Sequence, residues 1–161
     1  MSIAIPYAGG SSTLSYGFGV TLPVGYEAAV RLARTALGRE GFGIVSEVDL
    51  ARTLREKLGA EIAPYLLLGV CNPALARQAL NTDPDIGLLL PCTVAVRGAP
   101  EHGVTHLLAL DPVAALGLTG NANLAPLAQN VRARLERAIA QVAEDALALR
   151  QQRGAEAEEI C

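Results

Sequence analysis

The stretch PYLLLGVC, residues 64–71, constrains the fold more than any other segment, because it is apolar at consecutive positions. A strand points successive side chains to opposite faces. Such a run therefore reads as a central strand, with both faces kept from water. Two other segments alternate instead. STLSYGFGVTL sets Leu14, Tyr16, Phe18, Val20 and Leu22 on one face, with Gly17 and Gly19 opposite, where something packs close to the backbone. FGIVSEVDL sets Phe42, Ile44, Ser46, Val48 and Leu50 on one face. IGLLLPCTVAVRG and GVTHLLAL read as the last two strands. The turn APEH between them predicts an antiparallel hairpin in which His106 pairs near Ala95.

Helical spacing separates these strands. Tyr26, Ala29, Val30, Ala33 and Leu37 form one apolar stripe, with Gly38 and Gly41 as its end. Asp49 caps a short helix that Gly59 terminates, and Asn72 with Pro73 opens another. Leu124, Leu127, Val131, Leu135, Ile139 and Val142 make a continuous stripe on a long final helix. The arginines beside that stripe, Arg132, Arg134 and Arg137, read as a solvated surface. Residues 148–161 read as a disordered acidic tail, since the text turns polar and loses its period. Residues 1–11 are a lead-in and 12–147 a single domain. The order predicts an α+β fold, a mainly antiparallel sheet with helices packed on one face.

Composition narrows the partners. The chain is 51% hydrophobic but only 4% aromatic, so aliphatic side chains and alanine fill its core. A net charge of −3 without a concentrated basic face gives no electrostatic reason to expect a phosphate-backbone partner, so no nucleic acid is expected. No apolar run reaches the roughly 18–20 residues that span a bilayer. The opening MSIAIPYAGG lacks a basic region and does not read as a secretory signal. A cytoplasmic protein with no membrane partner is expected. The three cysteines, Cys71, Cys92 and Cys161, are too few for a disulfide framework.

YGFGVTL, REGFGIVSEVDL, LREKLG, YLLLGVCNPALARQAL, DIGLLLPCTVAV, LDPVAALGL and NLAPLAQNVRARLERAI together resemble the family called domain of unknown function 302, over roughly residues 12–145. Gly-x-Cys-Asn-Pro and Leu-Leu-Pro-Cys are the most specific of these segments. The resemblance implies a TATA-binding-protein-like β-α-β(4)-α topology and a homodimer. It implies no reaction, cofactor or ligand, and the shared topology does not imply DNA binding.

The residues themselves offer one candidate site. Cys71 stands at a strand end, one residue before a helix cap. The unpaired N–H groups of a first helical turn favour the ionised, nucleophilic form of a thiol placed against them. The alternative is a small buried hydrophobe. Cys92 follows Pro91 at the start of the next strand. If the two strands are antiparallel neighbours, both thiols lie at one edge of the sheet, although a one-residue register offset would send one of them to the other face. A shared metal site with His102 or His106 is disfavoured, because His106 falls about three residues, or 10 Å, along the strand from Cys92. Cys161 reads as an exposed thiol. GLTGNAN is either an anion cradle or, more simply, a loop capped by Asn123. Glu47 and Asp49 share a strand face, with Asp49 engaged as a cap. Two functional readings stay open. One is a thiol protein using Cys71 with Cys92 for redox, sulfur-handling or soft-metal chemistry. The other is a non-catalytic dimeric module that binds an apolar ligand or partner protein.

Overall fold

The computed structural model describes residues 14–160. Five strands form one antiparallel sheet: β1 (Gly17–Leu22), β2 (Gly43–Asp49), β3 (Tyr65–Cys71), β4 (Cys92–Gly98) and β5 (Thr105–Leu110), in the order β1-β5-β4-β3-β2. Helices α1 (Tyr26–Arg39), α2 (Leu50–Leu58), α3 (Pro73–Thr82), α4 (Pro112–Gly117) and α5 (Ala125–Glu159) complete the chain. The α+β reading holds, with the strand-helix-four-strand-helix order carrying α2, α3 and α4 as insertions. The strand apolar on both faces, β3, is interior but not central; β4 holds the middle.

Helices α1 and α5 pack together and cover one face of the sheet. That face presents Phe18, Val20, Leu22, Leu66, Leu68, Val70, Val94, Val96, Leu107 and Ala109, which meet Ala29, Ala33, Leu135, Ile139 and Val142 from the helices. Alanines on α1 let the helix sit close to the strands, so a chain poor in aromatics still fills its interior at ordinary density.

The caps follow the sequence reading in two places. Asp49 accepts from the Arg52 amide at 2.9 Å and Asn72 from that of Leu75 at 3.1 Å. Gly59 closes α2 in the left-handed region at φ 64°. In the GLTGNAN loop the capping side chain is Asn121, not Asn123: its oxygen accepts from the Asn123 amide at 3.0 Å. Thr119 accepts from the Asn121 amide in turn. The loop's polar groups are thus spent on its own turns.

Several expectations are corrected. A β-bulge between Ile44 and Ser46 breaks the single-face reading of β2: Ile44 pairs with Val70 on the helix side, while Ser46 and Val48 pair with Gly69 and Leu67 on the other. The apolar run IGLLLP is not strand. Residues Pro84–Leu89 form a 3-10 helix capped by Asp83, and β4 begins only at Cys92. The β4–β5 turn is longer than APEH, running from Ala99 to Val104, so His106 pairs with Arg97 and not near Ala95. Helix α5 continues to Glu159, through the segment expected as a tail. Its Ala, Glu, Gln and Arg are good helix formers, and every residue from Gln151 to Ile160 is exposed.

The arginines of α5 are not merely solvated. Arg132, only 16% exposed, donates to Asp111 at 2.9 Å and to Glu136 at 2.7 Å, and its guanidinium lies 5.7 Å from the centre of the Phe18 ring. Arg134 donates to the Glu40 carbonyl and Arg137 pairs with the Glu40 carboxylate at 3.0 Å, tying α5 to the end of α1. On α1, Arg34 pairs with Glu47 of β2, which draws the carboxyl of Glu47 below its usual range.

Gly17 and Gly19 are explained within the sheet. A Cβ at Gly17 would lie 2.8 Å from the Ala109 carbonyl oxygen, and one at Gly19 would run into the backbone of Leu107 and sit 2.6 Å from the Leu108 side chain. Strand β5, and no ligand, makes the close approach. Gly19→Ala therefore forces β1 and β5 apart and should cost about 1–3 kcal/mol, read as a lower urea midpoint with an unchanged slope.

Candidate functional site

The two thiols come to the same end of the sheet. Strands β3 and β4 are antiparallel neighbours, and Cys92 pairs with Val70. Cys92 therefore points to the helix-covered face, where it packs against the main core. Cys71 is one residue further on, opposite Gly43 of β2, and takes the alternate pleat. The neighbouring strands are as expected; the register is offset by one. Both cysteines are free and half-buried.

Residues from four directions close over this end. Asn72, Leu75 and Ala79 come from α3 and its cap, Leu89, Leu90 and Pro91 from the 3-10 segment, and Leu116 from α4, with Val131 below on α5. Together with Cys71 and Cys92 they line an apolar cavity of about 40 Å³. That volume holds roughly one water molecule, far below the several hundred Å³ of an organic ligand site. Burial, with a smaller contribution from nearby Cys71, pushes the Cys92 thiol up to about 11. Its neutral form is the one the fold accommodates.

The remaining sequence candidates do not join this end. His102 lies in the exposed β4–β5 turn. His106 sits five positions along from the level of Cys92, about 17 Å at the usual strand rise, and bonds Thr21 through Nδ1 at 3.0 Å. Among the described residues no group of three or more His, Cys, Asp or Glu side chains is arranged to hold a metal ion. Glu47 and Asp49 do share a strand face, and each is occupied, by Arg34 and by the cap of α2. Cys161 lies outside the described residues. No helix among them is long and apolar enough to cross a membrane.

What the sequence reading missed is the other face of the sheet. The register aligns Gly19, Leu108, Ala95, Leu67 and Val48 in one transverse apolar row across all five strands. This row lies opposite α1 and α5. Val48 is 45% exposed, and Leu88, on the 3-10 segment at the rim, is 91% exposed. A groove of about 410 Å³ runs here between Ser46, Val48, Leu67, Leu88, Pro91 and Leu110. The signal for it was present in PYLLLGVC, whose alternate residues Tyr65 and Leu67 are not taken up by the helix layer.

The architecture is that of an open-faced α+β sandwich: one antiparallel sheet, one helix layer, and a second face crossed by one apolar row. Within that class the chain belongs to the family of domain of unknown function DUF302, which matches residues 18–142. Among solved structures it is similar to an uncharacterized conserved DUF302 protein from Bacillus stearothermophilus, at 26% identity and a TM-score of 0.73, covering 80% of this chain and 99% of that one. No curated protein matches.

A thiol held neutral by burial has a consequence for stability. The unfolded thiol ionises near its ordinary value and the folded Cys92 only near about 11. The contribution is present at lower pH and is lost as pH rises from about 9 toward 11, by up to about 2–3 kcal/mol. Urea denaturation across that range should show the decline in the native protein and a shallower one in Cys92→Ala.

Proposed function

We propose that this chain is a non-catalytic binding module that works as a homodimer, closing the second face of its sheet against that of another copy. One observation carries the reading: the apolar row Gly19–Leu108–Ala95–Leu67–Val48 lies on the face that α1 and α5 leave uncovered. A sheet with an apolar row exposed on its second face gains from a cover there. A twofold pairing of identical faces is the commonest way a soluble chain supplies one. The family resemblance carries the same expectation. Sedimentation velocity should show a dimer at micromolar concentration. Val48→Lys, on an edge strand where a lysine is tolerated by the fold, should shift it to monomer with the circular dichroism spectrum intact. A native protein that sediments as a monomer throughout would remove this reading.

The thiol reading is second. It makes Cys71 the reactive sulfur and Cys92 its resolving or co-ligating partner, and it is supported by the meeting of both residues at one cavity. Against it stand the offset register and the high proton affinity of Cys92. Iodoacetamide treatment of the reduced, folded protein at pH 8 should leave Cys92 unmodified until denaturant is added. Alkylation of Cys92 at the rate of a free thiol would put redox or soft-metal chemistry ahead.

A further inference from the structure

Beyond the apolar row, toward the β4–β5 turn, the register aligns Thr21, His106, Arg97 and Tyr65 across β1, β5, β4 and β3. With strands about 4.8 Å apart the four span roughly 14 Å. Arg97 is half-buried. Among the described residues no carboxylate lies within ion-pair distance of it, as is also the case for Arg31, Arg39 and Arg77, whereas the half-buried Arg132 has two such partners. Thr21 holds His106 Nδ1 at 3.0 Å, which fixes the orientation of the ring beside Arg97. The same His106 and Thr21, though not Arg97 or Tyr65, line an open groove of about 770 Å³ at the β1 edge, with Leu22, Val104, Glu101 and, from α5, Leu147 and Arg150. This volume is in the range of small-molecule sites.

From this juxtaposition we infer that the Tyr65–Arg97–His106–Thr21 row binds a small organic oxyanion, a carboxylate or phosphate, whose body extends into the adjoining groove. Arg97 supplies the fork that matches such a group, with hydroxyls at both ends of the row. The anion also relieves a local conflict. Burial and the Arg97 charge lower the proton affinity of His106, and Glu101 raises it only in part. An oxyanion at Arg97 favours the imidazolium form, so binding tightens as pH falls and, reciprocally, raises the pH midpoint of His106. Arg97 on β4 and Glu101 in the turn are the charges that act on His106 in opposite senses, and Arg150 of α5 lines the same groove.

The chain has two histidines, so its ring resonances report this directly. The native full-length protein is titrated with sodium phosphate, and separately with sodium acetate, against sodium chloride at equal ionic strength, while the His106 and His102 protons are followed by NMR. The expected result is a saturable shift confined to His106, with its midpoint raised by about half a unit or more. Arg97→Gln should lose the shift at least tenfold in apparent affinity, and Glu101→Gln should strengthen it. Saturation by only one of the two anions assigns the group as phosphate or carboxylate. Equal movement of His102, a shift reproduced by chloride, or an undiminished response in Arg97→Gln would overturn the inference. Backbone amide spectra of the variants establish that they are folded. The row shares its face with the apolar row, two residues along each strand, so the titration is run on Val48→Lys beside the native protein, which separates anion binding from association.

Discussion

The structure depends on the contact between one pleat of the sheet and the α1–α5 layer. Leu22, Leu68, Val96, Leu107, Leu135 and Ile139 are fully buried there. Each removes apolar surface worth about 1.5–3 kcal/mol when withdrawn from water. The contact joins segments from both ends of the described chain. Strand β1 enters the sheet beside β5, and α5 lies across the sheet against α1, so neither half has a complete core alone. Everything placed on the strands inherits its position from this layer. That includes Cys92, whose pleat points into it.

Charged groups finish what packing begins. Arg132 lies beside the core, and its charge is balanced by Asp111, which also caps α4, and by Glu136 one turn on. A half-buried guanidinium is tolerated on those terms because its partners satisfy it and the Phe18 ring accepts its face. Arg97 presents the reverse arrangement on the other side of the sheet. It is a half-buried arginine opposite a histidine, with no carboxylate among the described residues within ion-pair distance. The difference in electrostatic bookkeeping between these two arginines is what separates a structural ion pair from a candidate binding group.

Much of the fold was legible because period and caps are local properties. The stripe Leu124 to Val142, the cap at Asn72 and the alternation of β1 each depend on neighbours within a few residues. The errors lie where pairing decides. A bulge costs one residue and leaves no compositional trace, so FGIVSEVDL reads as an unbroken strand, whereas the structure turns Ser46 and Val48 to the opposite face. Leu88, Leu89 and Leu90 carry strand-like side chains, but Pro84 and the Asp83 cap start a 3-10 turn first. His106 pairs with Arg97, two residues from the expected Ala95, because the turn extends beyond its Pro-Glu-His core from Ala99 to Val104. For the thiols, the meeting of two strand ends was readable from chain order. Which way each sulfur points was not, because a single residue of register inverts it.

The same sensitivity bears on function. A reactive pair needs both sulfurs on one side of the sheet, and the Val70–Cys92 pairing alternates them. Leu75 and Leu90, from the segment between the two cysteines, and Leu116 from α4 also close the cavity down to the size of a water. A chain built to expose a thiol would leave an approach to it at this end. This one places aliphatic side chains there and leaves its unsatisfied apolar surface on the opposite pleat. Residues 64–71 state that division directly. Leu66, Leu68 and Val70 complete the core within the chain, while Leu67 stands in a row that the chain's own helix layer does not cover. A strand that is apolar on both sides calls for two covers, and the helix layer of the described residues supplies one.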